Sequence, residues 1–128
     1  MPAGLNKHAK AAWRALVTDL AAEGLLNPVD AALIELCASA LGRAREARAL
    51  IDRDGMVVSG AKGSPIKHPA LIVEYQESAE ARKLLEVLGI GPSARARVHG
   101  KSGARASMLD AIDATVGSRG LRVVSASN

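Results

Sequence analysis

With 128 residues, 17 Lys and Arg against 13 Asp and Glu, and a net charge of +4, the chain has the size of one domain with a tail. No apolar run approaches the roughly 20 residues that cross a bilayer, and the N-terminus lacks the basic, apolar, small-residue order of a signal peptide. One cysteine excludes an intrachain disulfide and points to a reducing cytoplasm, and without Phe the core has to be aliphatic and helical.

The first helix is expected over residues 6–23, its apolar stripe formed by Leu5, Ala9, Ala12, Trp13, Leu16, Val17 and Leu20. Gly24 followed by Leu25 has the pattern of a Schellman ending. After a short turn, Asn27-Pro28-Val29-Asp30 reads as N-cap, N1, N2 and N3 of a long helix reaching Asp54. Val29, Leu33, Leu36, Cys37, Ala40, Ala44, Ala47 and Ile51 recur at three- and four-residue steps and predict its buried face. Arg43, Arg45, Arg48 and Arg53 fill its last third, where cations suit the helix dipole. A helix-turn-helix reader of bases is not expected, because Pro28, Val29, Asp30, Ala31 and Ala32 offer nothing that reaches base edges.

Met56-Val57-Val58 and Ile66-Lys67 predict two short extended runs around the Gly-rich loop 59–65. Pro69 then opens a third helix ending near Leu88, with Gly89 and Ile90 repeating the Schellman pattern. Its apolar residues do not keep to one stripe. Leu71, Ile72 and Val73 are consecutive, as are Leu84 and Leu85, and consecutive helical residues point 100° apart. A second subunit is the preferred cover for that arc, the hairpin or tail the alternative. Gly91-Pro92-Ser93 starts a short fourth helix with Arg95 and Arg97. His99–Ser107 has linker composition, Met108–Val116 predicts a weak last helix, and Leu121–Val124 is a short apolar run that pairs as a strand or stays loose. The fold class is therefore mainly α: a bundle of three to four helices, with a short β-hairpin or Gly-rich loop between the second and third. Residues 1–98 form the domain and 99–128 a basic flexible tail.

The charge is uneven. Residues 1–42 sum to −1 (three basic, four acidic), 43–68 to +3 (six, three), 69–91 to −2 (two, four) and 92–128 to +4 (six, two). Basic segments set apart from acidic ones suit an anionic polymer, although a solubilising surface would look the same. Chemistry is hard to find. His8, His68, His99 and Cys37 lack metal-site spacing, so no metal or cofactor is expected. Cys37 on an apolar helix face reads as core filler. Gly100-Lys101-Ser102 imitates a P-loop ending, but Arg95 stands where the earlier glycine belongs. Gly60-Ala61-Lys62-Gly63 has the form of a KH clamp loop in the wrong element order. Trp13 and Tyr75, both expected to be packed, cannot make a single-strand stacking platform. An enzyme is not expected.

A set of landmarks in order gives the chain a relative: Trp13 and Leu16, Leu25-Leu26 and Asp30, Cys37, Gly55, the Gly60–Gly63 loop, Pro69, then Leu84, Leu88-Gly89, Pro92-Ser93 and Arg95. Over about residues 10–98 it resembles the small subunit of a tailed-phage terminase of the HK97-like kind. Such proteins usually carry Asn-Pro where this chain has His68-Pro69, which implies a poorer cap on the third helix here. Gly91 stands where Thr is common, and the tail after Gly100 matches no pattern of the family.

The resemblance implies a non-enzymatic packaging factor in the bacterial host cytoplasm, a homo-oligomeric ring that binds viral double-stranded DNA. It implies delivery of that DNA to the large subunit, whose ATPase and nuclease it regulates. Arg43, Arg45, Arg48, Lys62, Lys67, Arg95, Arg97, Lys101 and Arg105 are the candidate phosphate contacts, each with a surface or salt-bridging role as the alternative, such as Arg48 with Asp52 at i+4. Arg95 and Arg97 have the large subunit as a second candidate partner. A small dimeric DNA-binding regulator and a structural phage component without DNA binding are the competing readings.

Overall fold

The computed structural model describes residues 1–118, with side chains left aside at 98, 99, 101–106 and 115–118. Among the described residues the order is α1 (Lys7–Ala22), a 3-10 turn (Pro28–Asp30), α2 (Ala31–Asp54), β1 (Val57–Ser59), β2 (Pro65–Lys67), α3 (Ala70–Leu88) and α4 (Pro92–Ser118). This is the mainly α bundle with a small hairpin that the sequence predicts. The Leu121–Val124 run lies outside the described residues.

Local chemistry sets the helix ends. Asn6 caps α1, its Oδ1 accepting the Ala9 N–H at 2.8 Å. Gly24, at φ +68°, ends it: Leu25 N–H donates to the Leu20 carbonyl (2.8 Å) and Gly24 N–H to Ala21 (3.1 Å), the paired bonds of a Schellman motif. Asn27 accepts from Val29 N–H at 3.0 Å, but the turn it caps is 3-10, and regular α geometry starts only at Ala31. Gly89 closes α3 as Gly24 closes α1, with Ile90 N–H on the Leu85 carbonyl at 3.0 Å.

The helix α2 is the shared partner of α1 and α3. Ala12, Leu16 and Leu20 from α1 meet Ile34, Cys37 and Ala38 from α2 and Leu88 from α3, with Trp13, Val17, Leu25, Leu33 and Leu84 packed around them. Packing on two sides explains where the predicted face of α2 fails. Ile34, Ala38 and Gly42 are buried although they lie off that stripe, whereas Val29 is 85% exposed and Leu36 57%. A single-stripe reading finds one seam, and α2 has two.

The two strands pair antiparallel, Val57 opposite Lys67, Val58 opposite Ile66 and Ser59 opposite Pro65. Bonds from Gly60 N–H to Ser64 O (2.8 Å) and from Gly63 N–H to Gly60 O (3.0 Å) close the connection, Gly63 supplying the positive φ.

Residues 1–91 form one compact unit and the chain from Pro92 a second. The second differs from expectation. The short fourth helix, the linker over 99–107 and the weak helix from Met108 are one continuous helix through Ser118. Gly100 and Gly103 each disfavour a helix by only about 1 kcal/mol relative to Ala, and the alanines, arginines and Lys101 around them are strong helix formers. Linker composition misleads here because those neighbours outweigh two glycines.

Candidate nucleic-acid interface

The candidate cations fall into four places. Arg43 and Arg48 lie on the α2–α3 seam and are engaged by it. Arg43 Nε meets Glu77 Oε1 at 2.9 Å, and Arg48 pairs with Glu74, not with Asp52 as helix spacing suggests. Two long side chains that reach across to α3 find carboxylates there that the sequence does not place. Ser78 adds a hydroxyl to Glu74 at 3.4 Å. Arg45 stands on the exposed side of α2 and lines a shallow depression of about 180 Å³ with Leu41, Ala44 and Ser78.

Lys62 and Lys67 belong to the hairpin, Lys62 in the turn and Lys67 on β2. Both are exposed. Arg95, Arg97, Lys101 and Arg105 are positions of α4, the last three at four-residue steps; the side chains of Lys101 and Arg105 lie outside the described set. Among the described residues Arg45, Lys62, Lys67 and Arg95 form no ion pair. Within residues 1–91, Arg43 and Arg48 are taken up by the seam, which leaves Arg45 on α2 and the two lysines of the hairpin. The candidates are divided between a neutralised seam, the exposed side of α2, the hairpin and α4.

The base of the hairpin carries a connection that sequence reasoning missed. His68, its side chain only 10% exposed, places Nε2 3.0 Å from Asp54 Oδ2 and accepts the Ala70 N–H on Nδ1 at 3.0 Å. A neutral imidazole with its proton on Nε2 satisfies both contacts. The imidazole thus does for α3 what an Asn cap would, which corrects the expectation of a poorer cap. The His-Pro step was the available signal: proline holds His68 extended, the geometry from which a side chain reaches the first turn. Arg53 forks onto the same carboxylate at 2.7 and 2.9 Å. Hydrogen bonds from Arg53 first and His68 second hold the Asp54 carboxyl well below the usual carboxylate range.

Other residues limit what the surface can do. Cys37 is fully buried, burial pushes its thiol up to about 11, and its Sγ sits 4.0 Å from the Ala81 carbonyl, so it packs as core rather than as a thiolate. Tyr75, expected to be packed, is 70% exposed beside a groove of about 380 Å³ between α2 and α3. One exposed ring gives no stack of successive bases. Gly100-Lys101-Ser102 is helical, so it forms no loop around a phosphate. Among the described residues no three His, Cys, Asp or Glu side chains group as metal ligands, and no helix is long and apolar enough to cross a membrane.

No curated protein and no solved structure gives a significant match to this chain. The family model for the phage terminase small subunit, however, matches residues 9–105, which takes in α1, α2, the hairpin, α3 and the first half of α4. The match covers most of the sequence and runs through each feature just described: the chain belongs to the phage terminase small-subunit family, and with it to phage DNA packaging.

Proposed function

We propose that the protein is the small subunit of an HK97-like packaging terminase that works as a homo-oligomeric ring in the host cytoplasm. It binds viral double-stranded DNA, hands it to the large subunit and regulates that subunit's ATPase and nuclease, with no catalysis of its own. The family match over residues 9–105 carries this reading. Residues 1–98 would act as the ring-forming domain and 99–128 as a basic extension.

Exposed apolar side chains support assembly. The Arg43–Glu77 contact marks one flank of the antiparallel α2–α3 pair. Two helical turns along that flank, toward the start of α2 and the end of α3, the positions are Leu36 and Leu84, with Val87 one turn further. Leu36 and Val87 are exposed apolar side chains in a lone copy; Ile72 and Tyr75 are exposed as well, on other faces of α3. A second copy is the cover proposed for this surface. Assembly would also multiply a modest charge, since each copy repeats the same cations at high effective concentration.

Arg45, Lys62, Lys67, Arg95, Arg97, Lys101 and Arg105 are the proposed phosphate contacts. Arg43 and Arg48 join them only if DNA competes with Glu77 and Glu74. Direct base readers are missing from the start of α2, so recognition would rest mainly on phosphates and duplex shape. Duplex binding measured against salt tests the group. Each true contact removed should lower the log–log slope by about 0.9, and unchanged slopes across charge-removal variants reject the assignment.

A further inference from the structure

The hairpin offers more than two positive charges. From Gly55 to Val73 the chain carries Lys62, Lys67 and His68 and no carboxylate. The two acids that bound this stretch are both engaged, Asp54 by Arg53 and His68, Glu74 by Arg48. Cross-strand register puts Val57 and Lys67 side by side on one face with Ser59 and Pro65, and puts Val58 and Ile66 on the other. All four residues of the first face are exposed, Val57 at 62%, and Lys62 stands in the connecting turn. The base is fixed: His68 N–H donates to the Met56 carbonyl at 2.8 Å, and the imidazole ties Asp54 to the first turn of α3. A short, anchored, acid-free ribbon with aliphatic and cationic side chains on one exposed face has the shape and charge that a DNA groove accepts. The major groove, about 12 Å wide, admits two antiparallel strands.

We propose that the β1–β2 ribbon is the groove-entering element of this protein, with Val57, Ser59, Pro65 and Lys67 against the groove wall and Lys62 on the phosphate backbone. This rests on the DNA-binding reading above and adds to it a named element and a mode. The lysines supply counterion release, and Val57 supplies apolar contact with sugars and thymine methyls, a contribution insensitive to salt. Anchoring at His68 lowers the ordering cost that a free loop would carry.

The test uses the full chain and a 30-base-pair mixed-sequence duplex, followed by fluorescence anisotropy across a salt series. Replacing both lysines (Lys62→Ala, Lys67→Ala) should reduce the slope by about 1.8 per bound subunit, two contacts at about 0.9 each, and the Lys62→Arg, Lys67→Arg variant should restore it. Val57→Ser should weaken binding by about tenfold with the slope unchanged. Far-ultraviolet circular dichroism checks that each variant keeps its helices. Bound DNA should also protect Lys62 and Lys67 from amine acetylation read by mass spectrometry. Wild-type binding with unaltered slope and affinity in all ribbon variants overturns the ribbon assignment and leaves the DNA reading standing. Altered oligomer mass with unaltered DNA binding overturns it too, assigning the ribbon to subunit contact. Failure of the wild-type chain to bind duplex at low salt overturns both readings.

Discussion

At Gly42 the backbone of α2 comes so close to α1 that an added Cβ would lie 2.6 Å from the Ala9 Cβ and 2.7 Å from its nitrogen. Helix propensity favours Gly42→Ala by about 1 kcal/mol, but the obstacle is backbone, which cannot rotate away as a flexible side chain can. Overpacking costs about 1–3 kcal/mol, so the variant should be less stable by up to about 2 kcal/mol net of the propensity gain, read as a lower urea midpoint. A raised midpoint would show that α1 moves freely. His68 works by polarity rather than space. Losing its cap in His68→Ala should cost about 1 kcal/mol, while His68→Asn, itself a good cap, should retain most of it. The Asp54 contact has a definite sign with pH. Its carboxyl is held below its unfolded value, so its contribution is present above about pH 4 and fades as pH falls below that. Asp54→Asn should therefore flatten the acid limb of a thermal stability curve between about pH 5 and 2; an unchanged limb would remove the clasp from the account.

Among the elements, what was legible in the sequence is what local chemistry decides. Asn27-Pro28, Gly24-Leu25 and Gly89-Ile90 specify caps within a few residues of themselves, and all three form. The hairpin was legible as two short extended runs around a Gly-rich loop. What stayed hidden depends on partners distant in sequence. The second seam of α2 cannot be read from its own periodicity, since Ile34, Ala38 and Gly42 become buried only because α1 folds back on them. The engagement of Arg43 and Arg48 needs α3 in place to supply Glu77 and Glu74. The unbroken α4 was obscured differently, by glycines whose modest helix penalty is outweighed by their neighbours. The candidate interface follows the same rule: its cations were visible as residues, while the pairing of Arg43 and Arg48 with α3 was a tertiary property.

For the whole molecule, a lone copy leaves Leu36, Ile72, Tyr75 and Val87 exposed on the first unit and Met108, Leu109 and Ile112 on the second. Large aliphatic side chains gain roughly 1.5–3 kcal/mol each on full burial, and stable interfaces remove about 1,200–2,000 Å² from solvent. Anchors of this kind on each subunit would favour the association of copies proposed above. In the ring proposed above each copy would repeat the same cations at high effective concentration, multiplying the net charge of +4 per chain. The most direct measurement is the native mass of the purified chain by light scattering or native mass spectrometry. A discrete multiple of 13.2 kDa well above a dimer is expected. A stable, well-folded monomer at high concentration would contradict it.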